Sequence, residues 1–260
     1  MASTAEYSSS FGNTPILETR KLFVRFGGLM AVNDVSFSLP VGQIRAIIGP
    51  NGAGKTTFFN LVTGVFKPTS GGIFFNGDDI TDLPVYKRVK LGIGRSFQVV
   101  NLFPDLSVEK NLHIAVQAFL KSRTNPFESV NRADIHSRTE ELLAKYHWIE
   151  DPHMSAGALI YPEQKKLETL MALVQEPELM LLDEPTAGVD ENDIGLISEM
   201  ITDVSHNCTI LLTDHDIKFV LKIAHKITVL NHGCIIAEGT PSYISQDPKV
   251  DEIYYGGALQ

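Results

Sequence analysis

Gly49-Pro50-Asn51-Gly52-Ala53-Gly54-Lys55-Thr56-Thr57 follows the apolar run Ile44-Arg45-Ala46-Ile47-Ile48 and leads into a helical pattern through Phe58, Leu61 and Val62 that Gly64 can close. The nonapeptide fits G-x-x-x-x-G-K followed by Ser or Thr, and a buried strand before it with a helix after it is the setting this motif requires. Its glycines let successive backbone N–H groups turn inward around phosphate oxygens, and the helix N-terminus adds a positive dipole end. Lys55 reaches the β and γ oxygens, and Thr56 is placed to ligand Mg2+. Residues 49–57 are therefore the candidate nucleotide-binding loop, and they predict an α/β fold built around a P-loop.

Reading outward from the loop, two runs alternate apolar and polar residues: Leu22, Val24 and Phe26, then Val35, Phe37 and Leu39, with Gly27-Gly28 between. These predict antiparallel strands. A Gly71-Gly72 turn, the strand Ile73 to Phe75 and an Asn76-Gly77 pair add a hairpin to the same lobe. The middle third predicts helices over Ser107 to Leu120 and about Asp134 to Tyr146. Beyond residue 160 a helix near Glu163 to Val174 precedes strands at Leu179 to Leu182, Thr209 to Leu212 and Lys226 to Leu230, separated by helices. That alternation predicts a mainly parallel, covered sheet. Thr240-Pro241 and Asp247-Pro248 read as helix starts, because proline suits the first helical position.

Leu179-Met180-Leu181-Leu182-Asp183-Glu184 delivers two carboxylates to the carboxyl end of a buried strand, the edge at which open α/β sheets bind ligands. Behind a P-loop, Asp183 is the candidate to hold Mg2+ through water, and Glu184 the candidate general base for an attacking water.

These residues resemble the nucleotide-binding subunits of ABC transporters, and the similarity runs from about Ile16 to Gly256. The resemblance implies ATP and Mg2+ as ligands and a RecA-like core with an antiparallel β subdomain and a helical subdomain. It implies that Phe26 stacks on adenine, that Gln98 contacts Mg2+ and senses the membrane partner, and that His215 in Thr213-Asp214-His215-Asp216 stands at the γ-phosphate. Asp190 in Ala187-Gly188-Val189-Asp190 would be the D-loop aspartate. The implied boundaries are a disordered tail over 1–15, one ATPase domain over 16–256 and a C-terminal helical tail over 241–260. Within the domain, core and antiparallel lobe take about 16–98 and 165–240, and the helical subdomain takes about 99–164.

One stretch departs from the family. Where its members carry LSGGQ or a variant such as LSYGE, this chain has Leu159-Ile160-Tyr161-Pro162-Glu163. In the family the motif's Ser hydroxyl and second Gly N–H donate to the γ-phosphate held by the opposite subunit; Ile160 has no hydroxyl and Pro162 no N–H. Two charge-assisted hydrogen bonds at about 1.5 to 3 kcal/mol each put the upper range of the loss at roughly 3 to 6 kcal/mol. The expectation is a heterodimer, in which Lys55 and Glu184 meet an intact signature from a different ATPase subunit.

FGGLMAVNDVSF, GIGRSFQVVNLFPDLSVEKNL and the ending AEGTPSYISQDPKVDEIYYGG are similar to the ATPases of branched-chain amino acid, amide and urea importers. That implies permease subunits as membrane partners and a place at the cytoplasmic face of the inner membrane. Over 260 residues, 22 basic against 31 acidic side chains leave a net charge of −9, which argues against a protein devoted to neutralising nucleic-acid phosphates. A repair-type or ribosome-associated ABC ATPase is the competing class, and an ATP-holding regulatory subunit is a third. No apolar run approaches the roughly 18 residues of a membrane span. MASTAEYSSSFGNTP reads as a frayed polar tail without the features of a secretory signal. Cys208 and Cys234 have no partner at metal spacing and read as reduced thiols.

Overall fold

The computed structural model describes residues 15–96, 101–123, 131–146, 148–174 and 177–255. In chain order the elements are β1 (Pro15–Phe26), β2 (Leu29–Pro40), β3 (Ile44–Ile48), α1 (Lys55–Thr63), β4 (Ser70–Phe75), β5 (Asp78–Asp79), α2 (Val85–Lys90) and β6 (Ile93–Arg95). Three helices follow, α3 (Val108–Arg123), α4 (Arg132–Lys145) and α5 (Tyr161–Leu173). The remainder is β7 (Leu179–Asp183), α6 (Glu191–Ser205), β8 (Thr209–Thr213), α7 (Ile217–Ile223), β9 (Lys226–Asn231), β10 (Cys234–Gly239), α8 (Pro241–Ile244) and α9 (Pro248–Tyr255). They fall into two compact units, one of residues 1–95, 178–184 and 205–260, the other of residues 96–177 and 185–204.

The first unit holds both sheets. A six-stranded sheet runs β10-β9-β3-β8-β7-β6. Every ladder from β9 to β6 is parallel, and β10 closes one edge antiparallel to β9. All residues of β3, β7 and β8 are buried, as strands covered on both faces must be, which explains their unbroken apolar runs. The expected P-loop α/β core with a mainly parallel sheet is what the chain forms. A second, antiparallel sheet runs β2-β1-β4-β5. Asn76 and Gly77 turn its β4–β5 hairpin with φ of 50° and 86°, the paired left-handed conformation that a two-residue hairpin selects. Phe37 and Phe75 from this sheet, Phe58, Phe59 and Leu61 from α1, and Ile47, Leu181 and Leu211 from the other share one apolar core.

Arg88 of α2 is 1% exposed and closes the C-terminus of α1. Its Nη1 donates to the carbonyls of Leu61 and Val62, both at 2.7 Å, while Nη2 and Nε donate to Thr81 and Leu83. A cation among the last carbonyls of a helix is favoured by their partial negative charge. Gly64, at φ 80°, ends the helix as its position suggests.

The second unit is helical. Ser107 caps α3 through its hydroxyl, which accepts from the Lys110 N–H at 3.2 Å. The helix expected from about Asp134 begins two residues earlier, because Asn131 accepts from the Ala133 N–H and sets the start. The helix expected near Glu163 likewise begins at Tyr161, with Pro162 in its first turn.

Candidate functional site

The loop between β3 and α1 is held from behind. A Cβ on Gly49 would overlap the Leu230 carbonyl oxygen, and one on Gly54 would overlap that of Ala31. The Gly233 N–H donates to Ala53 O at 2.9 Å, tying the loop to the β9–β10 turn. Gly52 is different: a Cβ there would meet nothing within 4 Å, but φ of +80° favours glycine. Gly49 and Gly54 are thus demanded by packing against neighbouring backbone, and Gly52 by conformation alone. The first turn of α1 carries no acidic residue, so its positive end is left for an anion.

Lys55 is 7% exposed, and its Nζ donates to the carbonyls of Gly49 at 2.6 Å and Pro50 at 3.1 Å. Burial pushes its amine below the usual lysine range, while the charges of Glu184 and Asp183 pull the other way. The loop's lysine thus lies within electrostatic range of Asp183 and Glu184.

Asp183 is 1% exposed. Oδ1 accepts from the Thr213 hydroxyl at 2.8 Å, and Oδ2 faces Arg95 Nη2 at 3.0 Å. Arg95, at the end of β6, also donates to Asn60 of α1 at 2.6 Å. Arg95 carries no signal in the sequence, because a lone arginine has no spacing pattern. Two donors fix the Asp183 carboxylate, an arrangement suited to a cation ligand that acts through water.

Glu184 takes φ of 51°, unusual for a residue with a side chain, and its N–H donates to Thr213 O at 2.9 Å. Its Oε1 lies 2.6 Å from His215 Nε2. His215 sits on a turn clamped on both sides, since Asp214 accepts from the Asp216 N–H and Asp216 accepts from the Phe219 N–H to cap α7. Its ring is half exposed. Asp183 ends β7, and Lys55, Glu184 and His215 lie beyond the carboxyl ends of β3, β7 and β8, which are neighbours in the sheet, so the four collect at one carboxyl edge. The exposed Thr56 hydroxyl and the fixed Asp183 carboxylate are hard oxygen donors that fit Mg2+.

Phe26 ends β1 with 46% of its surface exposed, its ring edge-to-face with Phe66 at 5.3 Å. It leads into the turn before Ala31, whose carbonyl lies against Gly54. Gln98 lies outside the described residues. In the helical unit, Leu159 is buried, Ile160 is 65% exposed and Tyr161 46% exposed. Pro162 is the second residue of α5, so that turn lacks an N–H at its position, and the Ile160 N–H is taken by the Glu163 carboxylate at 3.2 Å. The Tyr161 ring packs on Gly188. Asp190 accepts from the Asp193 N–H at 3.0 Å, capping α6.

A family model described as ABC transporter matches residues 32–187. Over 254 residues the chain is 38% identical to the high-affinity branched-chain amino acid transport ATP-binding protein BraF of Pseudomonas aeruginosa, covering 94% of this chain and 99% of that protein. It is 38% identical to LivG of Escherichia coli, named for the same transport, at the same coverage. At 32% identity it also matches the lipopolysaccharide export system ATP-binding protein LptB of Acidithiobacillus ferridurans, covering 94% of this chain and 98% of that one. Among solved structures it is similar to MJ1267, an ATP-binding cassette of an ABC transporter, with a TM-score of 0.80 and 29% identity over 93% of this chain and 99% of the other.

Proposed function

The chain belongs to the ABC transporter family of ATP-binding subunits, and from that membership we propose that it hydrolyses ATP for an importer of branched-chain amino acids or related amides, as one half of an asymmetric ATPase pair. The observation that carries this reading is the gathering of Lys55, Asp183, Glu184 and His215 at one sheet edge beside a P-loop. The cargo rests on BraF and LivG, at 38% identity. An exporter's cassette at 32% makes the margin modest, because cargo is chosen by other chains.

In this reading the N–H groups of residues 49–57 and the α1 N-terminus bind the β- and γ-phosphates, and Lys55 leaves the Gly49 and Pro50 carbonyls for their oxygens. Phe26 offers its exposed face to adenine. Glu184 takes a proton from the attacking water, and His215 orients the Glu184 carboxylate and meets the γ-phosphate. Bound Mg2+, held by Thr56, by Gln98 and by Asp183 through water, would neutralise charge on the phosphate oxygens.

The asymmetry rests on Ile160 and Pro162, which offer the opposite subunit neither a hydroxyl nor an N–H. Two ATPases closing head to tail would pair this chain's P-loop with an intact signature and leave the partner's P-loop facing the defective one. Among the described residues no helix is long and apolar enough to cross a membrane. Permease chains would supply the crossing, with this subunit on their cytoplasmic face and no nucleic acid involved.

Steady-state ATPase of the purified chain alone, against the double variant Ile160→Ser/Pro162→Gly, tests the asymmetry. The expected result is slow wild-type turnover that the restored signature raises by at least about tenfold, or 1.4 kcal/mol. Brisk turnover by the wild-type chain alone would sink it.

A further inference from the structure

We propose that Glu109, His113 and His136 form a transition-metal site of the Zn2+ type on the helical unit, with His153 held against Glu109 beside it. The elements set this up from separate places. Glu109 and His113 stand one turn apart on α3 and so share a face. His136 enters from α4, whose ring lies edge-to-face with that of His113 at 6.1 Å. His153 arrives on a segment fastened to the first turn of α3, where the Val108 and Glu109 N–H groups donate to the Met154 and Pro152 carbonyls at 3.1 and 2.9 Å.

The ligand atoms converge. Glu109 Oε1 lies 3.7 Å from His113 Nε2 and 3.9 Å from His136 Nδ1, and one ligand atom from each of the three lies within 4.8 Å of the others. Bonds of about 2.0 to 2.1 Å in a tetrahedron imply edges of about 3.4 Å, so the two edges from Glu109, at 3.7 and 3.9 Å, need to close only slightly, and the His113–His136 edge shortens by a rotamer adjustment of the exposed His136 ring. His113 Nε2 is shut off from solvent and makes no hydrogen bond, a costly state for a ring nitrogen and one that a metal bond would relieve. On His136 the other nitrogen, Nε2, lies 3.3 Å from Glu140 Oε1. A carboxylate there favours the tautomer with hydrogen on Nε2, which turns the Nδ1 lone pair toward Glu109, as outer carboxylates do for metal-bound histidines. His153 Nδ1 lies 3.1 Å from Glu109 Oε2. Two imidazoles with one carboxylate select zinc-type ions over Mg2+ or Ca2+, which prefer all-oxygen sets. The site lies in the helical unit, and its chemistry is unlike the oxygen ligands at the P-loop.

The test is calorimetric titration of the EDTA-treated full chain with Zn2+ in excess Mg2+, together with the visible spectrum of the Co2+ form. One Zn2+ per chain is expected at a Kd on the order of micromolar or tighter, with Co2+ bands of four-coordinate type. His136→Gln alters a ring that is more than half exposed, so the fold should survive, and it should weaken binding by at least about tenfold. His113→Gln should do the same, and His206→Gln, on an exposed turn, should change nothing. Absence of stoichiometric binding, or binding that neither His136→Gln nor His113→Gln weakens, would overturn the proposal and leave the cluster as imidazole–carboxylate pairs only.

Discussion

Glu184 is held at φ of 51° with its N–H on Thr213, a conformation costing of order 1 kcal/mol or more that the neighbouring ladder must sustain. Beside it, Asp183 depends on Arg95 for compensation of a buried charge. Arg95→Ala should therefore cost about 3 kcal/mol in urea unfolding, since removing one member leaves the other uncompensated; a loss below about 1 kcal/mol would mean that Thr213 suffices. His225 gives a pH signature. Its Nδ1 accepts from the Ile44 N–H at 2.9 Å, and burial holds its pKa below the ordinary 6.5. The unfolded chain thus binds this proton more readily, so the contribution is complete above 6.5 and is lost as pH falls through that value toward the lower folded one. Urea midpoints of wild type and His225→Asn, compared at about pH 7.5 and about pH 5.5, should show a smaller acid loss in the variant, whose amide oxygen accepts without titrating.

Elements differ in how openly the sequence declares them. β3, the P-loop and α1 are legible because a buried apolar run, a glycine spacing and a helical period coincide within residues 44–63. β7 and the Asp183-Glu184 pair are legible because an unbroken apolar run ends on two adjacent carboxylates. What holds these elements in register is not local: Arg88 reaches Leu61, 27 positions away, and Arg95 reaches Asp183, 88 positions away. No window of sequence contains both partners, and an isolated arginine has no period. The histidine cluster is likewise invisible in the sequence, because only the meeting of α3 with α4 joins His113 to His136. Arg88→Met keeps much of the volume but strands four carbonyls, and should cost about 3 kcal/mol of stability by denaturant unfolding. Gly54→Ala should lose nucleotide binding in a fluorescent ATP-analogue titration, since the added Cβ meets Ala31 O and φ is +104°.

At the scale of the molecule, the chain consists of a sheet-bearing unit that carries the candidate phosphate loop and a helical unit that carries Ile160 and Pro162. The chain carries a net charge of −9, and among the described residues no helix is long and apolar enough to cross a membrane. In the proposed asymmetric pair the partner's P-loop faces Ile160 and Pro162, so turnover falls on the site built here. The decisive measurement is the ATPase rate of the assembled transporter, with its own permease and partner ATPase subunits, carrying Glu184→Gln in this chain only. Loss of a general base should lower turnover by about a hundredfold or more. Turnover equal to wild type would place catalysis in the partner's site and make this chain an ATP-holding subunit instead.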